Sequence, residues 1–177
     1  MYIWIGIDVD GQLCEIKQKA LEIDRDFNFE NSCFTLPLHI SLKMSFPMSG
    51  DNFQSLVYDI ASYFESTAPF EISLKGIEAY ENIVWIRMIN NEEINKIHDD
   101  LNDMLLSKYG VGLHEYDLDY KFHTTLFMSD DEDKIKTAYE EIKDTSLSDT
   151  LKINRFLIGT SNSGKLGTYS VFKEITV

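Results

Sequence analysis

Leu38-His39-Ile40-Ser41-Leu42-Lys43 and Phe122-His123-Thr124-Thr125-Leu126-Phe127 carry one pattern twice: a histidine, then a hydroxyl two residues on. Alternating apolar and polar residues around each histidine predict a strand. Residues i and i+2 of a strand share a face, roughly 6 to 7 Å apart. His39 and Ser41 are therefore expected on one face, and His123 and Thr125 on one face of the second strand. In the first strand Ile40, Leu42, Met44 and Phe46 form the expected apolar back, with His39, Ser41, Lys43 and Ser45 in front. Two imidazoles and two hydroxyls converging on one cleft would make an acid–base site for a phosphate ester.

Outward from these strands the chain reads as a repeat. Tyr2 to Ile7 is a buried strand. Asp10 is expected to cap a helix with Leu13, Ile16, Ala20 and Ile23 inward. A loop follows over 25–38, then the first histidine strand. Phe53, Leu56, Val57, Ile60 and Phe64 mark a second helix, which Pro69 ends, and a strand runs from Phe70 to about Ala79. Ile83 to Met88 is the next strand. Asn90 and Glu93 resemble a capping box for a helix bearing Ile94, Ile97, Leu101, Met104 and Leu105. An acidic loop over 112–120 leads to the second histidine strand. Ser129 and Glu132 form a second expected box before a helix with Ile135, Ala138, Tyr139 and Ile142. Leu151 to Thr160 and Thr168 to Val177 read as a closing hairpin. The histidines are 84 positions apart (39 to 123) and the strand starts 81 apart (2 to 83). The expectation is one domain over 1–177, built from repeats at about 2–79 and 83–160 plus a closing strand at 168–177. The fold class is α+β, two pseudo-symmetric lobes of antiparallel or mixed sheet with helices outside and the cleft between them.

A chain of 177 residues, 44% hydrophobic and 12% aromatic, can bury a sizeable core. The formal net charge of −14 argues against a broad basic surface for long nucleic acid, while leaving room for a small nucleotide or an RNA end. No apolar run approaches the ~20 residues of a membrane span. The apolar N-terminus meets Asp8 and Asp10 at once, unlike a signal peptide, so the expected location is cytoplasmic. Cys14 and Cys33 are read as reduced thiols.

Together these features resemble the two-histidine (2H) phosphoesterase superfamily, which contains the RNA 2′,3′-cyclic phosphodiesterases and the 2′-5′ RNA ligases. Its tetrads, histidine-apolar-[Ser/Thr]-apolar, are matched by His39-Ile40-Ser41-Leu42 and His123-Thr124-Thr125-Leu126, with polar Thr124 a departure. Segments 69–76, 84–86, 155–161 and 167–169 resemble the strand pair and closing hairpin of that family, so the resemblance spans nearly the whole chain. It implies that His39, His123, Ser41 and Thr125 are catalytic, with no metal and no cofactor. It also implies a metal-independent phosphodiesterase for a small nucleotide or RNA terminus, with a 2′,3′-cyclic phosphate opened to a 2′-phosphate. Many cyclic-phosphate members place an arginine after the second tetrad, where this chain has Phe127 and Met128. That departure keeps open a phosphodiesterase for 2′-5′-linked or cyclic oligonucleotides. A non-catalytic nucleotide-binding or protein-interaction module on the same fold is the remaining alternative, and monomer is the default state.

Lys43 either contacts phosphate from the histidine face or is a solvated strand lysine. Phe127 either stacks a base or packs in the core. Tyr169 matches a family tyrosine expected to line the cleft, and Tyr120 and Lys121 flank the second strand. His98 is read on the polar face of its helix and His114 in the acidic loop. The aspartates at 117 and 119 and the acidic run 130–133 are read as a solvated loop and a capped helix start rather than metal ligands.

Overall fold

The computed structural model describes residues 1–29 and 32–177. Two antiparallel four-stranded sheets form the frame. One has the order β2-β1-β7-β8 (β1 Tyr2–Asp8, β2 His39–Pro47, β7 Arg155–Ser161, β8 Ser170–Thr176). The other has the order β5-β4-β3-β6 (β3 Phe70–Tyr80, β4 Ile83–Ile89, β5 His123–Met128, β6 Thr150–Ile153). Each histidine strand is an edge of its sheet, and the two edges pack against each other.

Helices α1 (Cys14–Phe27), α2 (Gly50–Glu65), α3 (Glu92–Tyr109) and α4 (Glu132–Ile142) cover these sheets. α1 packs on α4, while α2 packs on α3 and β8. Their inner stripes are the expected ones: Ile16, Ala20 and Ile23; Phe53 to Phe64; Ile94 to Leu105; Ile135, Ala138 and Ile142. Such stripes bury against the apolar backs of the sheets, where Ile3, Ile5, Ile40, Val84, Ile86 and Ile158 are fully enclosed.

Several local expectations shift. Residues 30 and 31 of the expected 25–38 loop lie outside the described residues, and α1 itself continues to Phe27. Asp10 starts a short 3-10 turn and caps no helix. Its Oδ1 instead accepts from the Leu38 amide at 2.8 Å and from Lys17. The α3 cap is Asn91, whose side chain accepts from the Ile94 amide, and the α4 cap is Asp131, which accepts from Asp133 and Lys134. The expected strand from Leu151 to Thr160 is two strands divided at Asn154. β6 pairs with β3 in one sheet and β7 with β1 and β8 in the other. Alternation of apolar residues alone does not reveal a change of sheet.

Candidate active site

Both histidine strands bulge directly after the hydroxyl. Gly6 of β1 pairs with Ser41, but Ile5 pairs with Lys43, so Leu42 is an extra residue on β2. Trp85 of β4 pairs with Thr125 and Val84 with Phe127, so Leu126 is the extra residue on β5. An extra residue reverses the alternation beyond it. Lys43 and Phe127 therefore turn inward, 2% and 0% exposed, and Met44 and Met128 turn to the cleft.

This corrects two candidates. Lys43 is not offered to phosphate: its ammonium is bound by Asn102 Oδ1 at 2.6 Å, the Gly112 carbonyl and Asp117. Phe127 stacks no base; its ring lies 5.1 Å from that of Phe29 in the core. His98 and Asp117, expected on a solvated helix face and in a solvated loop, are buried, with His98 Nε2 3.7 Å from Asp117 Oδ1. Tyr169 lies beside the cavity of His39, its hydroxyl against Ser45 Oγ.

His39 and His123 are held alike. His39 Nδ1 donates to the Pro37 carbonyl at 2.8 Å, and His123 Nδ1 donates to the Lys121 carbonyl at 2.6 Å. A carbonyl can only accept, so each bond places a proton on Nδ1 and leaves Nε2 as the reactive nitrogen. Each ring also rests on a tryptophan. Trp4 meets His39 edge-on at 4.3 Å, and Trp85 lies 4.4 Å from His123. Trp4 Nε1 donates to Ser41 Oγ at 3.0 Å, which occupies an acceptor position of the hydroxyl and leaves its proton to be given elsewhere. Gly6 makes room for that indole, since a Cβ there would lie 2.4 Å from Trp4 Cζ2.

The charged neighbours differ. Asp8 pairs in register with His39, is 7% exposed and is bound by Arg155 Nη1 at 3.0 Å and by the Asp10 amide. Arg87 pairs in register with His123. Burial lowers the His39 pKa, against the opposing pull of the Pro37 bond and the Asp8 carboxylate. Burial takes His123 down to about 4, with Arg87 and His39 pushing further in the same direction.

Two adjoining cavities open at the pair. One, about 250 Å³, is lined by His39, Ser41, Thr125 and Tyr169. The other, about 430 Å³, is lined by His123, Trp85, Tyr80, Tyr116 and Lys121. Met44 and Met128 line both. Trp4 and Trp85 were not singled out from sequence, although they are the only tryptophans and lie 81 positions apart, the offset of the strand starts. Asp8 and Arg87 carried no comparable signal. Among the described residues no three His, Cys, Asp or Glu side chains are grouped to hold a metal, and no helix is long and apolar enough to cross a membrane.

Comparison with solved structures returns the same architecture. Escherichia coli LigT complexed with 3′-AMP is 13% identical, with a TM-score of 0.65 and coverage of 99% of this chain and 97% of that one. TT0787 of Thermus thermophilus is 14% identical, with a TM-score of 0.64 and coverage of 99% and 97%. LigT complexed with ATP is 14% identical, with a TM-score of 0.58 and coverage of 99% and 96%. No curated protein matches the sequence. The family model described as the 2′-5′ RNA ligase superfamily matches residues 18–164, a span that contains both histidine tetrads. The chain belongs to the 2′-5′ RNA ligase superfamily of two-histidine phosphoesterases.

Proposed function

We propose that the protein is a metal-independent phosphodiesterase acting on a small nucleotide or an RNA terminus, opening a 2′,3′-cyclic phosphate to the 2′-phosphate. The observation that carries this is the matched fixing of two imidazoles, each with Nδ1 tied to a carbonyl, beside a hydroxyl on the same strand face. His123, beside Arg87, is the group kept neutral and serves as base. Its Nε2 takes a proton from water as the oxygen attacks phosphorus. His39, beside Asp8, is the group better able to hold a proton, and the phosphate anion adds to that pull. Its Nε2 delivers the proton to the departing 3′ oxygen as the P–O bond breaks. Ser41 and Thr125 donate to the non-bridging oxygens as negative charge grows there. Water is consumed, a phosphomonoester and a free hydroxyl result, and exchange with solvent restores both histidines.

E. coli LigT crystallises with 3′-AMP and with ATP, which is consistent with a nucleotide-sized ligand for this fold. The test is turnover, with EDTA present, of nucleoside 2′,3′-cyclic phosphates, 3′-5′ and 2′-5′ dinucleotides and cyclic dinucleotides. The reading expects 2′-phosphate from the cyclic phosphates. Turnover that EDTA abolishes would contradict it.

A second reading rests on the two cavities meeting at Met44 and Met128. A phosphate bound between them has room for a nucleoside on each side, as in a 2′-5′-linked or cyclic oligonucleotide. Faster cleavage of the 2′-5′ dinucleotide than of any cyclic phosphate would favour it.

A further inference from the structure

Lys43 and Phe127 fill matching inward positions after the two bulges, yet their surroundings are opposite in kind. Phe127 packs among aromatic rings. Lys43 is bound by the carboxylate of Asp117, with side chains 2% and 0% exposed, by Asn102 of α3 and by the carbonyl of Gly112. A buried ion pair loses about as much in desolvation as it gains in attraction, and an apolar filling such as Phe127 stabilises a fold at least as well. What the ion pair adds is direction, because it binds one oxygen of one carboxylate in one geometry.

That carboxylate belongs to the segment 112–121. Asp117 Oδ2 also accepts from the His114 amide at 2.6 Å, and Asp117 Oδ1 takes no hydrogen bond from the described residues. The Lys121 carbonyl at the far end of the segment accepts the His123 Nδ1 proton at 2.6 Å. One segment thus holds the imidazole of one half-site and is bound through Lys43 to β2, the strand that carries the other.

We propose that Lys43 and Asp117 are positioning residues that hold the 112–121 segment so that the Lys121 carbonyl fixes His123 with Nε2 toward the cleft. The kinetic part of this proposal rests on the phosphodiesterase reading; the structural part does not. Lys43→Met alone leaves a carboxylate buried without its partner, so the principal variant is Lys43→Met with Asp117→Leu, which replaces the pair by apolar groups. Lys43→Gln with Asp117→Asn, which removes both charges at nearly unchanged size, gives the same comparison if the apolar double variant does not fold. Two quantities are read on folded protein: steady-state kinetics on the best cleaved diester, and the slowly exchanging imidazole Nδ1 proton of each histidine by NMR. The expected result is kcat reduced at least about tenfold with KM nearly unchanged, the loss seen when a catalytic group is misplaced. With it, the His123 Nδ1 proton exchanges rapidly with water while that of His39, tied to Pro37, persists. An unchanged His123 proton overturns the proposal whatever the rate does, and so does a lost proton with unchanged kcat. If His39→Ala and His123→Ala both retain full turnover, the phosphodiesterase reading has failed, and the His123 proton alone decides the proposal.

Discussion

The Thr124 hydroxyl donates to the main-chain carbonyl of His39 at 3.0 Å, joining the two sheets at their facing edge strands. Thr124 is fully buried. It occupies an apolar place of the second tetrad, and this bond is the physical reason a polar residue sits there: it ties the backbone of one histidine to the strand of the other.

Thr124→Val keeps the shape and removes the donor. It is expected to cost about 1 to 2 kcal/mol of stability, the penalty for an unpaired buried polar group. Urea unfolding gives the stability, and kcat is expected to fall while KM holds. Unchanged values of both would show that the cross-sheet bond contributes nothing.

The charged neighbours make the acid–base assignment testable. In a profile of kcat/KM against pH the acidic limb belongs to the group that must be neutral, His123, and the alkaline limb to the group that must be protonated, His39. Arg87→Met removes a cation that lowers the His123 pKa, so the acidic limb moves to higher pH. Asp8→Asn removes an anion that raises the His39 pKa, so the alkaline limb moves to lower pH. Shifts on the opposite limbs would exchange the two roles.

Stability should also depend on pH through His123. In the unfolded chain its imidazole takes a proton near pH 6.5, and in the fold only near pH 4. Between these values the unfolded state binds more protons, so stability is full above about pH 6.5 and falls as pH drops toward 4. The loss from this group is ~3 kcal/mol. His123→Gln should flatten that part of the acid-unfolding curve. An unaltered curve would mean that His123 already carries its proton in the fold.

Trp4→Phe keeps a ring beside His39 and deletes the donor to Ser41. One neutral hydrogen bond of about 1 kcal/mol corresponds to roughly a fivefold fall in kcat. Gly6→Ala is expected to do more, because the new Cβ would crowd both Trp4 Cζ2 and the Ile40 carbonyl, at 2.4 and 2.9 Å. Tryptophan fluorescence and kcat, measured together, check both variants. A Gly6→Ala protein with wild-type values of both would contradict the placement of the indole.

The histidine pair, its hydroxyls and the helix stripes were legible because each follows from local periodicity, 2 for strands and 3.6 for helices. The bulges were not. They depend on how β2 and β5 align with β1 and β4, and nothing in Leu42 or Leu126 announces an extra residue. Strict alternation therefore placed Lys43 and Phe127 in the cleft and Met44 in the core, whereas the folded strands reverse these positions. Pairs far apart in sequence were equally hidden. Helical periodicity alone puts His98 on a polar face, because its partner Asp117 is 19 residues away in sequence (98 to 117) and reaches it only in the folded chain.

The most direct test of the central claim is kcat for His39→Gln, His123→Gln and the double variant on the best diester, with folding verified by circular dichroism. A shared acid–base reaction predicts that each single variant loses about 10²- to 10⁴-fold. The double variant should be little worse than the poorer single one, because the two groups act as a unit. Near-wild-type turnover in either single variant would contradict it.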